Sequence, residues 1–216
     1  KAGGNAADAA IAASALMGVV EPMSCGIGGD LFVIYWDAKT RKLYGLNASG
    51  RSPHQLNRQV FAAKGLTEIP TEGPLSWSVP GCVSGWSELH LRFGKQPWAG
   101  LLEPAIQTAE EGFPVSEIIA AGWQSSERSL RRWPDSRRTY LPAGDRAPRF
   151  GEVFRNPDLA RVYRQIAAGG ADAFYRGETA QKIVKFSAAQ GGYFSLPDFA
   201  DQRADWIEPV STNYRG

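Results

Sequence analysis

The sequence predicts an α+β fold on three observations. A capped, alanine-rich helical stretch at residues 6–20 runs into a glycine turn; two β-patterned runs follow at 31–36 and 42–47; and from 83 onward the pattern turns helical, in segments that glycine repeatedly stops. With 216 residues and 43% hydrophobic content, the chain has material for one substantial core, or for part of a larger domain.

Asn5, with Asp8 three residues on, forms a capping arrangement that opens the helix, the aspartate standing in for the usual glutamate. Its alanines leave almost no polar stripe, so this helix is expected to be central and closely packed on both sides. Glu21-Pro22 ends it, since the residue before proline avoids the helical region. Next comes the turn Gly26-Ile27-Gly28-Gly29, and then the strands at 31–36 and 42–47, joined by a hairpin loop at 37–41. The first strand is apolar at nearly every position, which suits cover on both faces. Residues 53–76, rich in proline, glycine and polar side chains, read as a surface excursion.

Helices are expected at 86–93, stopped by Gly94, at 104–111, stopped by Gly112, and beyond Ser116 as an N-cap. Residues 133–152 carry Pro134, Pro142, Gly144, Pro148 and Gly151 and read as a loop. Asn156-Pro157-Asp158 opens another helix that ends at Gly169-Gly170, and 178–188 forms the next. A final strand is expected at 207–214. It reaches the last residue without a stopping signal, and the chain opens on Lys1-Ala2-Gly3-Gly4 without methionine, so it reads as cut at both ends.

Composition removes several function classes. Twenty-four Lys and Arg against 22 Asp and Glu give a net charge of +2, no drive toward nucleic acid or an acidic membrane. The one basic cluster, Arg128, Arg131, Arg132, Arg137 and Arg138, reads as a solvated face. The longest apolar run, 11–20, is about half of the roughly 20 residues that span a bilayer. Cys25 and Cys82 have no metal-ligand or redox spacing, and two isolated histidines, His54 and His90, give neither a metal site nor a triad, as no G-x-S-x-G occurs. No cofactor is implied. The glycine turn is not a dinucleotide fingerprint, because the order is helix, turn, strand; it is a tight packing turn or part of an active-site wall. Arg51, in Asn47-Ala48-Ser49-Gly50-Arg51-Ser52-Pro53, follows a strand end after a flexible glycine. There its guanidinium either makes a surface ion pair or grips a substrate carboxylate.

Taken together, these segments resemble the gamma-glutamyltranspeptidase family of N-terminal nucleophile hydrolases. The resemblance rests on Gly3-Gly4-Asn5-Ala6-Ala7-Asp8, Glu21-Pro22-Met23-Ser24-Cys25-Gly26-Ile27-Gly28-Gly29, Gly50-Arg51-Ser52-Pro53 and Val79-Pro80-Gly81-Cys82-Val83-Ser84-Gly85. It continues through Leu101-Leu102-Glu103-Pro104, Glu111-Gly112-Phe113-Pro114, Phe174-Tyr175-Arg176-Gly177 and Glu208-Pro209-Val210-Ser211. It implies a four-layer αββα sandwich, incomplete in this chain, with residues 1–216 forming the large-subunit portion of one domain. The partner it implies is the small subunit of the same self-cleaving precursor, whose exposed threonine is the nucleophile. No threonine of this chain matches the processing motif, so no catalytic residue is expected here. Arg51 aligns with the arginine that clamps the α-carboxylate of a γ-glutamyl donor such as glutathione. Asp30, where many members have glycine, and Ser52, where many have glutamate, imply a transpeptidase-like relative that favours hydrolysis or accepts other acyl donors, as related cephalosporin acylases do; the alternative is a non-enzymatic relative that keeps Arg51 as an anion clamp but has lost processing and turnover.

Overall fold

The Asn5 side chain accepts the Asp8 backbone N–H at 3.0 Å, and Asp8 Oδ2 accepts the Asn5 N–H at 2.8 Å. Two orphan donors are thereby satisfied reciprocally, and the first helix runs over Ala6–Val20, as its sequence predicts. The computed structural model describes residues 3–142 and 144–216. In chain order the elements are α1 (Ala6–Val20), β1 (Leu31–Asp37), β2 (Lys42–Ala48), α2 (Arg58–Ala63), α3 (Cys82–Phe93), α4 (Trp98–Glu111), β3 (Phe113–Pro114), α5 (Glu117–Leu130), α6 (Pro134–Tyr140), β4 (Val153–Phe154), α7 (Pro157–Tyr175), α8 (Glu178–Ala189), α9 (Leu196–Ala200) and β5 (Asp205–Ile207). They fall into two compact units, the first ending at Gly26 and resuming over Lys95–Ala168, the second comprising Ile27–Gly94 and Gly169–Gly216.

In the first unit α1 lies against α4, burying Ala7, Ile11, Ala15 and Val19. Gly18 leaves room for the Tyr163 hydroxyl, which donates to the Ala15 carbonyl at 2.9 Å. Ala9, Ala10, Ala13 and Met17 are exposed, so α1 packs on one face here, not on both as expected. An alanine carries too little contrast for sequence periodicity to separate a covered face from a bare one. A second cluster gathers Val115, Leu141, Ala147 and Phe154 around Trp123, whose indole N–H donates to the Tyr140 carbonyl at 2.9 Å.

Proline misled the sequence reading twice. Helix α4 begins at Trp98 and holds Pro104 in its interior, where one bond to the exposed Gly100 carbonyl is forgone while buried Leu101, Leu102, Ala105 and Ile106 anchor the helix. Inside the stretch read as a loop, Pro134 opens α6 at the first helical position, where a missing N–H costs nothing. The stop predicted at Gly169-Gly170 is a break: Gly170 adopts φ 66°, and the helix then resumes to Tyr175.

The second unit carries an antiparallel sheet of order β1-β2-β5. Leu31, Val33 and Tyr35 face α3 together with Leu46 and Ala48; Tyr35 stacks on Phe93 with ring centroids 4.2 Å apart, and Gly85 brings α3 against Leu31 and Ala48. The opposite face is bare. Phe32, Ile34 and Trp36 are 67%, 75% and 56% exposed, with Leu43 and Ile207 beside them. The expected cover on both faces of β1 is therefore half realised within this chain. The last strand is displaced from the expected run at 207–214: it lies at Asp205–Ile207 and shares only Ile207 with that run, since Pro209 offers no N–H to extend the ladder beyond it.

Candidate functional site

Arg51 stands where β2 runs out, and its neighbours fix its backbone from several directions. Asp30 Oδ1 accepts the Gly50 N–H at 2.7 Å, Gln202 Oε1 accepts the Arg51 N–H at 3.4 Å, and the Arg51 carbonyl accepts the Val79 N–H at 2.9 Å. Further on, Asp198 Oδ1 accepts the His54 N–H at 2.7 Å. Gly50 is not there for flexibility, as expected from sequence: a Cβ on it would collide with the Val79 carbonyl. Gly81 is required in the same way by the Ala48 carbonyl, so the strand exit and the segment entering α3 touch backbone to backbone.

Because Gly81 carries no side chain to cap α3, the helix start is satisfied from elsewhere. The Gly29 carbonyl accepts the Gly81 and Cys82 N–H groups at 3.0 and 2.9 Å. The Tyr175 hydroxyl accepts the Ser84 N–H at 3.0 Å and donates to the Pro80 carbonyl at 2.7 Å. Burial raises the Tyr175 phenol well above its ordinary value. The glycine turn thus leads straight into the α3 start and into Asp30, which holds the Arg51 loop. Around Gly28 there is open space: a Cβ there would meet nothing among the described residues within 4 Å.

The guanidinium makes an ion pair within the chain. Arg51 Nη2 lies 2.7 Å from Asp205 Oδ2, with the two side chains 44% and 48% exposed, and Arg203 Nε lies 3.5 Å from the other Asp205 oxygen. The register places this group. Asp205 opposes Asn47 and Ile207 opposes Gly45, while Phe32 opposes Asn47 on the other side. Directly opposed residues share a face, so Asp205 lies on the bare apolar face with Phe32, Ile34 and Ile207, and Arg51 reaches its margin. A separate cavity of about 870 Å³ is lined by Gly50, Ser52, Phe61, Leu66 and Trp77, but not by Arg51.

His54 lies beside two carboxylates, Nδ1 at 3.3 Å from Asp198 and Nε2 at 3.6 Å from Asp201, in a structural role at the α9 cap. Burial alone would raise the Asp198 carboxyl, but the His54 N–H and the Ser195 donors outweigh it and hold the group below its ordinary range. His90 sits on α3, and no group of three or more metal-ligating side chains occurs among the described residues. Within the basic cluster, Arg131 pairs with Glu127 and Asp145, Arg137 with Asp145 and Arg138 with Asp135. No helix among the described residues is long and apolar enough to cross a membrane. The sequence singled out Arg51 but not Asp198, Gln202 or Asp205, since isolated polar residues in a five-residue helix, a connecting turn and a three-residue strand carry no motif.

The fold is mixed helix and sheet, with the Arg51–Asp205 ion pair at the margin of an exposed apolar sheet face. The chain belongs to the gamma-glutamyltranspeptidase family, among the N-terminal nucleophile hydrolases: the gamma-glutamyltranspeptidase family model matches residues 1–216. It is 38% identical over 215 residues to the glutathione hydrolase-like YwrD proenzyme of Bacillus subtilis, covering 99% of this chain and 40% of that protein. Among solved structures it resembles the cephalosporin acylase from Bacillus halodurans, at 43% identity and TM-score 0.92, covering 100% of this chain and 41% of that one. It also resembles the Helicobacter pylori gamma-glutamyltranspeptidase, at 29% identity and TM-score 0.93, covering 99% of this chain and 62% of that one. The chain therefore spans less than half of the length of the Bacillus relatives.

Proposed function

We propose that this chain is the large-subunit part of a gamma-glutamyltransferase or glutathione hydrolase, with Arg51 as the clamp for the donor's α-carboxylate. A threonine outside this chain, at the start of the small subunit of the same precursor, attacks the γ-amide carbon. The C–N bond breaks, the leaving amine takes a proton, and the γ-glutamyl group remains as an ester on the threonine. Water or an amino acid then resolves that ester.

One observation carries the reading: the Arg51 guanidinium stands at the margin of an apolar sheet face left uncovered in this chain. A second sheet laid over Phe32, Ile34 and Trp36 would complete the four-layer αββα sandwich and enclose Arg51 at its edge, with the open glycine turn nearby as a wall. Family membership and the proenzyme name of the YwrD relative support a precursor that divides into subunits. The test is expression of the full gene, followed by intact mass and kinetics. Two fragments, the smaller starting with threonine, are expected. Arg51→Lys should process normally yet raise the Michaelis constant for a γ-glutamyl anilide by about tenfold or more, because a point ammonium cannot reproduce a bidentate fork. An unchanged constant rules out the clamp.

A second reading has support of its own. Likeness to the cephalosporin acylase, together with Asp30 and Ser52, favours an acylase that keeps Arg51 for a carboxylate on a different acyl donor. Processed enzyme that cleaves cephalosporin side-chain amides faster than γ-glutamyl amides would favour it.

A further inference from the structure

We infer that Asp205 is a specificity-determining residue, an internal carboxylate that the substrate's own carboxylate must displace from Arg51. The inference rests on the reading of Arg51 as the donor clamp. The occupying contact is a single N–H of the guanidinium, at 2.7 Å, between side chains each nearly half exposed. A one-point contact of that kind is held less firmly than a ligand carboxylate that takes two parallel N–H groups in defined geometry.

The surroundings suit an exchange. Asp205 does not depend on Arg51 for its place, since its backbone is paired with Asn47 in the sheet. When Arg51 lets go, Arg203, 3.5 Å from the other oxygen, remains as a counter-ion, so the displaced carboxylate is not stranded. Two arginines and one aspartate leave one positive charge uncompensated, which matches one substrate carboxylate. Asp205 thereby sets a threshold: a donor with a carboxylate in clamp geometry displaces it, and a donor without one leaves it in position.

The experiment uses the processed full-length enzyme and two probes, a γ-glutamyl anilide and the 4-aminobutyryl anilide that lacks the α-carboxylate. Asp205→Asn, which keeps shape and removes charge, should lower the Michaelis constant for the first probe by about three- to tenfold and leave the second unchanged. Asp205→Glu should restore the wild-type value, and in an Arg51→Ala background Asp205→Asn should have no effect. Intact mass and melting temperature identify any variant that fails to fold or process, and Asp205→Glu then supplies the comparison. A constant for the first probe that stays the same or rises in Asp205→Asn overturns the inference. If Arg51→Lys raises that constant while Asp205→Asn does not lower it, only the competitor role fails. If Arg51→Lys leaves it unchanged, or the wild type turns over neither probe, the clamp reading itself fails.

Discussion

At Gly50 one absent carbon decides whether the Arg51 loop can form. A Cβ there collides with the Val79 carbonyl and comes within 2.8 Å of the Ser78 hydroxyl, and both belong to the segment that feeds α3. Backbone must move to relieve it, so Gly50→Ala is expected to destabilise the full-length protein by about 1–3 kcal/mol. Gly28→Ala, where the same carbon meets open space, should stay within about 0.5 kcal/mol. Thermal melts of the two variants check this, and equal losses would show that the Gly50 contact does not govern the loop. The contrast also says what sequence can convey about a site. The local pattern of a charged fork after a strand end and a glycine left Arg51 open to an ion pair or a carboxylate grip, and the structure shows the ion pair. Its partner Asp205 was not legible, because the two are joined only through the pairing of β2 with β5, and a three-residue strand carries almost no periodicity.

Among the elements, those with their own stop and start chemistry were the readable ones. The Asn5 and Asp8 cap, the Ser116 cap and the glycines at 94 and 112 fixed the ends of α1, α5, α3 and α4. What stayed hidden was set by context: α9 is five residues long, too short for a period, and the start of α3 is completed by Tyr175 from far along the chain. Tyr175→Phe removes both of its bonds and leaves the Pro80 carbonyl and the Ser84 N–H buried without that partner. A loss of about 1–3 kcal/mol is expected, read by chemical denaturation; a neutral substitution would mean that the α3 start does not need this cap. The segment entering β4 makes one contribution to acid stability. The Arg146 fork, bonding both Glu152 oxygens at 2.8 Å, and the Arg149 N–H hold that carboxyl down at about 2, from an ordinary 4.5. A depressed folded value stabilises above the unfolded one, so the contribution is present above about pH 4.5 and fades as pH falls toward 2. Glu152→Gln should flatten the fall of melting temperature across that window, and an unchanged slope would assign it to other carboxylates.

For the whole molecule the bare sheet face is the dominant fact. Phe32, Ile34 and Trp36 alternate with the core-facing residues of β1, and with Leu43 and Ile207 they form a contiguous apolar surface on a sheet whose other side is already packed by α3. Each large side chain gains about 1.5–3 kcal/mol when fully buried, so a second sheet covering this face would contribute strongly to any assembled protein, while the same face uncovered invites association. Phe32→Thr with Ile34→Thr keeps strand propensity and strips the apolar character. In this chain expressed alone, the double variant should remain folded by circular dichroism and bind less of a hydrophobic dye than the parent. In the full precursor it should prevent a stable two-subunit complex or its processing. A full-length double variant that processes and elutes as the wild type does would mean that the face is not where the proposed small subunit sits, and would overturn the proposed sandwich.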